Sequence, residues 1–584
     1  MKKFYFPFVI FLLHTCLVFG QPDRTDPYIF DYLNNEDDRA FFLGAKDRFS
    51  SYALNGPPTS PVRPMAEWEE QQAVILTWAS EFHILAELTR QLKNDVEVII
   101  VCENANVVRN VLNNLDIDVS ENVRLVEDDF DSIWVRDYGP NSAYINDVDT
   151  LIMVDWIYNR PFRVRDDVVS ERIAQELEVP LYTTSNEPYR FVGTGGNYMS
   201  DGMGQSFSST LIVDENSMLG IDGVDEILRS FMGVESYVKF DILPFDLIHH
   251  IDMHMKILDE QTILVGQYPE GIADGPQIEA NIQFLLSNFT TSFGTPYKIE
   301  RMPMPPDNNG LYPHQGADYR TYVNAYIGNK TIVVPTYEEQ YDVPALARWG
   351  ELMLGYNIQG INCNTIIPRF GVLHCITKEV GVKDPLRIVH QQPECLNLDL
   401  TYNIEALFQH QSGIAEASVF IKQLDGQFLE HSMLELAEDD MWGIELSSIA
   451  STSIDSIEYY FKATANSGKE MLRPMVAPGG VYEVANCNPV STSTIQNIDT
   501  KLMNAFPNPA SSITCIPVSS SRQTNGKISL IDVLGREVVD IYEGPFYKGE
   551  KKYFFDALPL KEGVYLLQLQ IGNQIQTQKI FVGK

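Results

Sequence analysis

The hydrophobic period of this chain changes at Asp384-Pro385, and that change excludes one uniform fold for its 584 residues. From about residue 65 to 383, short β-rich runs (Ala73 to Thr77, Val96 to Val101, Leu151 to Val154, Thr262 to Val265, Thr331 to Val334) alternate with helical patterns. His83 to Leu92 is one such pattern; Asp342 and Pro344 open another with an N-cap and an early proline. The spacing predicts an α/β domain over 65–383. Beyond Pro385 the helical period vanishes. Val419 to Leu424 with Asp425-Gly426, and Ser456 to Thr464 with Asn466-Ser467-Gly468, read as hairpins. Residues 384–490 therefore read as an immunoglobulin-like β-sandwich, with a β extension of the first domain as the alternative. A Ser/Thr-rich linker (491–503) leads to a third unit of amphipathic strands over 504–584.

The N-terminus reads Met1-Lys2-Lys3 followed by an apolar run from Phe4 to Phe19, the pattern of a signal peptide over 1–20. Leu13-His14-Thr15 lacks the small residues that precede a lipidated cysteine, which argues against Cys16 as a lipid anchor. Residues 21–64 are polar and turn-rich and read as a leader or pro-segment, with order expected from about Met65. No other run approaches a membrane span in length, so no span is expected in the mature protein. The charge balance of 43 Lys plus Arg against 79 Asp plus Glu gives −36. Such a surface repels nucleic acid and anionic membrane and attracts cationic substrates. Six cysteines remain after the signal, too few for a disulfide scaffold. Cys395 and Cys487 bracket the sandwich segment; a bridge between them leaves Cys375 free.

Four stretches carry candidate chemistry. Thr365 to Thr377 is a strand-like run ending on Cys375 beside His374, a thiol that is either paired or kept for nucleophilic work. Asp131 to Pro140 (DSIWVRDYGP) reads as a strand end closing on a turn, where Asp137 is either functional or simply paired with Arg136 or capping the turn. Gly193 to Tyr198 (GTGGNY) lacks the lysine and helix start of a phosphate loop and reads as a tight loop that lets backbone approach a site. In His249 to His254 (HHIDMH), a strand would place His250, Asp252 and His254 on one face. That face is either a metal cluster or a general acid/base beside a substrate-binding carboxylate.

Taken together, Trp134 to Pro140, His250-Ile251-Asp252, Asn324 in Tyr322-Val323-Asn324-Ala325, and Leu373-His374-Cys375 resemble the guanidino-group-modifying enzymes. The resemblance is to the agmatine deiminase and bacterial peptidylarginine deiminase family, and it extends to Pro64-Met65-Ala66-Glu67-Trp68-Glu69 and Val333 to Tyr337. It implies a pentein α/β propeller. It also implies roles: Asp137 and Asp252 hold the planar guanidinium, Cys375 attacks it, His250 shuttles protons, and Trp134 and Asn324 line the substrate. No metal or other cofactor is implied. Arg160 and Arg163, in Asn159-Arg160-Pro161-Phe162-Arg163, resemble a segment that binds a terminal carboxylate, which points to C-terminal arginine of peptides or proteins as substrate. Agmatine is the rival substrate, a Cys-His-Asp protease the rival enzyme, and a non-catalytic surface-binding protein the rival class. The 504–584 unit resembles the C-terminal sorting domain of the type IX secretion system of Bacteroidetes, which implies export to the cell surface or medium with that machinery as partner.

Overall fold

The computed structural model describes residues 52–583 apart from 161–162, 397–402, 424–425, 439, 446–455, 487–499, 504, 507, 511–512, 533–535, 562 and 573. The signal-peptide reading of 1–20, Cys16, most of the leader, Cys487, the greater part of the linker, Pro161 and Phe162 thus lie outside the described residues. Two compact units divide the chain near residue 490.

In the first unit, residues 54–381 form five small sheets, none of them closed. One arrangement recurs. Met255–Ile257 runs antiparallel to Thr262–Gln267, the helix Gly275–Asn288 follows, and Lys298–Pro303 returns parallel to Thr262–Gln267. The same ββαβ order joins Tyr326–Gly328, Thr331–Thr336, the helix Glu339–Leu352 and Asn357–Asn362. It appears again around the helices Gly220–Met232 and Val169–Leu177. The fifth sheet is assembled from both ends of the segment: Lys378–Gly381 pairs antiparallel with Gln71–Thr77, whose parallel partner Glu97–Cys102 follows the helix Phe82–Leu92. Central strands such as Ala73 to Leu76 are wholly buried, as parallel strands covered by helices must be. Ordered strands begin ahead of Met65, since Leu54–Asn55 pairs parallel with Leu181–Thr183 and Val62–Pro64 antiparallel with Asn141–Ile145.

Residues 387–486 form two further sheets around their own core of Phe408, Val419, Tyr459, Phe461 and Val484. Both expected hairpins are present: Ile414–Lys422 with Phe428–Ser432, and Ser456–Ala465 with Glu470–Arg473, the latter turning on Gly468 at φ +89°. Arg473 donates twice to Glu260, and Lys469 pairs with Glu70, tying this sandwich to the α/β segment. Cys395 is disulfide-bonded, whereas Cys102, Cys363, Cys375 and Cys515 are free thiols. The second unit is a two-sheet β structure around Ile516, Ile528, Leu530, Leu567 and Ile580.

No helix among the described residues is long and apolar enough to cross a membrane.

Candidate active site

Every candidate catalytic side chain sits on the short turn that precedes the first strand of a ββαβ unit. Cys375 lies in the 3-10 turn His374–Ile376 ahead of Lys378–Gly381, and Asp252 in Ile251–Met253 ahead of Met255–Ile257. Asp137 lies in the single helical turn Val135–Tyr138 ahead of Asn141–Ile145, and Asn324 ahead of Tyr326–Gly328. The fifth such turn, Gly195–Asn197, supplies backbone. Three sequence-based expectations of local structure are corrected here. The segment ending at Cys375 is not a strand, because Thr377 Oγ1 donates to Leu373 O at 2.9 Å and curls the chain. Asp137 lies on a helical turn rather than a strand end. The His250, Asp252, His254 alternation fails because 251–253 is a 3-10 turn, so the three do not share a strand face.

The turns converge. Cys375 Sγ lies 3.6 Å from Asp252 Oδ2 and 3.3 Å from Asn324 Nδ2. Asn324 also donates to Asp252 O (3.1 Å) and accepts from His374 N (3.0 Å), so one amide clamps the thiol turn to the carboxylate turn. His250 Nε2 meets Thr194 Oγ1 at 3.1 Å, and its Nδ1 stands 3.6 Å from Asp137 Oδ1, which accepts from Gly196 N at 3.2 Å. Only glycine fits at 196: an added Cβ would stand 2.6 Å from His250 Nδ1 and 2.9 Å from Asp137 Oδ1. The expectation of a loop that lets backbone approach the site holds. At Gly371 an added Cβ would meet the Trp134 ring at 2.6 Å and Cys375 Sγ at 3.1 Å, which places that ring beside the thiol.

Burial, then the charges of Asp252 and Asp137, push the Cys375 thiol well above its ordinary range. Burial acts on Asp252 in the same upward sense, but the hydrogen bond and charge of His374, with His250 and Arg136, outweigh it and hold the carboxyl below its ordinary value. Burial drives His254 down to about 4, leaving that ring neutral.

Sequence reasoning missed the layer behind these groups. Arg136 does not pair with Asp137; it reaches Glu379 at 2.6 Å and donates to His374 O at 3.1 Å. The His374 ring spans Asp252 (2.8 Å) and Glu67, and Glu67 also accepts from Lys256 Nζ at 2.7 Å. The signal was Lys and Glu inside strands otherwise fit for burial, at Lys256, Lys378 and Glu379.

Arg160 and Arg163 lie to one side. Arg160 pairs with the buried Glu215 at 3.0 Å, and Arg163 donates to Tyr158 Oη at 2.9 Å. Asp166 and Asp167, the neighbouring acids, are engaged elsewhere, capping Asp131, Ser132 and Tyr158.

Residues 63–380 match the Porphyromonas-type peptidyl-arginine deiminase profile, and residues 504–583 match a secretion system C-terminal sorting domain. A provisionally named agmatine deiminase of Mycoplasma capricolum is 22% identical over 292 residues, covering 45% of this chain and 78% of that protein. The solved agmatine deiminase of Enterococcus faecalis is 19% identical, with a TM-score of 0.49 over 56% of this chain and 100% of that one. A further solved structure, also provisionally named an agmatine deiminase, is 19% identical with a TM-score of 0.51 over 57% of this chain and 100% of its own, and shares the fold. The chain therefore belongs to the Porphyromonas-type peptidyl-arginine deiminase family, hydrolases acting on guanidino C–N bonds, and carries a type IX secretion sorting domain.

Proposed function

We propose that this chain hydrolyses the guanidinium of arginine to a ureido group and ammonia, with arginine at a peptide's C-terminus as the preferred substrate. The observation that carries this reading is the meeting of one free thiol, two carboxylates and an imidazole around a backbone that admits only glycine. A guanidinium is planar and cationic with a fixed fork of N–H donors, so Asp137 and Asp252 bind it by charge-assisted pairs. Asp252 Oδ1 has no hydrogen-bond partner among the described residues and is free to accept one. A bound cation offsets the two carboxylates that raise the thiol, so substrate itself promotes ionisation of Cys375. The thiolate then adds to the central carbon; His250 carries the thiol's proton to the departing nitrogen, which leaves as ammonia. The resulting thiouronium takes up water with His250 as base, the C–S bond breaks, and the urea product and thiol are released. The steps run on a thiol, an imidazole and two carboxylates, with no cofactor in them.

The five ββαβ units support a pentein propeller with the site at its centre. The segment 384–490 acts as an accompanying immunoglobulin-like sandwich, and 504–584 as the address for type IX export after a signal peptide. Arg160, within the field of Asp137, supports recognition of a terminal carboxylate. A second reading, agmatine deiminase, has its own observation: Glu215 Oε2, beside Arg160, is buried without a hydrogen-bond partner among the described residues, the kind of acceptor a substrate amine seeks.

Side-by-side turnover of agmatine, free arginine, and peptides with terminal or internal arginine tests these readings. Fastest release of ammonia from C-terminal arginine peptides is expected, and Arg160→Ala should reduce it about ten- to a hundredfold while sparing amidated peptides. Agmatine as the best substrate would move the assignment to the second reading.

A further inference from the structure

His374 adjoins the nucleophile but points away from it, and both of its ring nitrogens face carboxylates. Nδ1 stands 2.8 Å from Asp252 Oδ2 and Nε2 stands 2.7 Å from Glu67 Oε2, with His374 and Asp252 each 1% exposed. A neutral imidazole carries one N–H and one lone pair, so in this position the lone pair would be aimed at a carboxylate oxygen; a doubly protonated ring donates at both ends. We propose that His374 is a positioning residue for the guanidinium site: held between Asp252 and Glu67, it engages Asp252 Oδ2 and so presents Oδ1 to the incoming guanidinium. The inference rests on the deiminase reading above.

Two features support it. The oxygen that His374 leaves alone, Asp252 Oδ1, is the one buried without a hydrogen-bond partner among the described residues. The charges behind the ring also alternate in sign, from Asp252 through His374 to Glu67 and on to Lys256. Asp252 otherwise faces Cys375, Asp137, His250 and Arg136. Around His374 itself stand Glu67, Arg136 and, from the neighbouring strands, Lys256, Lys378 and Glu379. Glu67 faces a cleft that it shares with His374, Arg136, Lys256, Lys378 and Glu379, and that neither Cys375 nor Asp252 lines.

The test is the pH profile of kcat/KM for the full chain and for His374→Gln and Glu67→Gln, with folding checked by circular dichroism. Asp252 must be ionised to hold a guanidinium, so activity falls as pH drops through its pKa. Removing the positive partner raises that pKa. The acid limb should therefore move to higher pH by about one to three units in His374→Gln, and in the same direction by less in Glu67→Gln. Folded, active variants whose acid limb does not move would overturn the proposal, as would loss of fold in both, which would mark the pair as a structural strut. If the unmodified chain is inactive on every guanidino substrate, the deiminase reading fails instead.

Discussion

The α/β segment and the sandwich that follows it each bury a histidine, and the two are put to opposite uses. His390, on the sandwich side, is 5% exposed, with Nδ1 donating to Glu405 O at 2.7 Å and Nε2 facing Tyr459 Oη at 2.8 Å. It packs on Phe461 and Tyr482, and burial drives it down to about 4, so it is neutral. His374 has carboxylates at both ends instead of a carbonyl and a hydroxyl. The difference extends to the surroundings. The α/β segment gathers the buried Arg136, Asp252, Lys256 and Lys378 with the half-buried Glu67 and Glu379, whereas the sandwich packs around an aliphatic and aromatic cluster. Buried charges are expensive unless paired. Here Arg136 is paired with Glu379, Lys256 with Glu67 and Asp252 with His374, so the cluster behind the thiol depends on every partner being in place.

The sharpest way to test that contrast is to remove the nucleophile alone. Cys375→Ala should lower ammonia release by about 10⁴-fold or more while leaving the thermal transition nearly unchanged, because the thiol contributes little packing. Residual turnover near that of the unmodified chain would end the covalent mechanism. In the unmodified, substrate-free chain, alkylation of Cys375 by iodoacetamide should be slow at neutral pH and accelerate into alkaline solution, since only the thiolate reacts and the thiol is raised.

Next in size come two substitutions that separate the regions. Lys256→Met removes one of the positive partners of the Glu67 carboxylate and should destabilise by about 3 to 5 kcal/mol in denaturant unfolding, with activity falling as well. Phe461→Ala opens a cavity in the sandwich and should cost a similar amount, about 3 to 5 kcal/mol, but leave kcat/KM of the folded protein unchanged. If both variants behaved alike in activity, the division into a chemical and a structural region would be broken.

The smallest effect concerns His390. Its folded value of about 4 lies below the ordinary 6.5, so between those values the unfolded chain binds the extra proton and stability is lost as pH falls. His390→Gln should cost about 1 to 3 kcal/mol at neutral pH, where a buried partner loses its hydrogen bond. It should also flatten the acid side of the stability curve and leave the acid limb of kcat/KM where it was. A shift of that limb would mean that the sandwich histidine also tunes the active site.

Much of this was legible in the residues themselves. The end of helical periodicity after Pro385 and the two hairpins follow from local rules of patterning and composition, which act over a few residues and survive any tertiary arrangement, whereas the free state of Cys375 was left open by the residues. Cys375, His250, Asp252 and Asp137 were identifiable as candidates because each sits in a local cluster of chemistry-bearing types, and Asn324 only through the family resemblance. The conformation of their turns was not, since whether Leu373 to Thr377 extends or curls is decided by a threonine hydrogen bond and by an Asn324 clamp from 51 residues away. Nor could Arg136 be assigned to Glu379 rather than to the adjacent Asp137, or Arg160 to Glu215. Such pairings depend on which buried charges meet across different sheets, and in a low-dielectric interior that meeting decides charge state and role alike. The sequence by itself determined which side chains were available; the packing of five sheets determined which of them face substrate and which only hold the others in place.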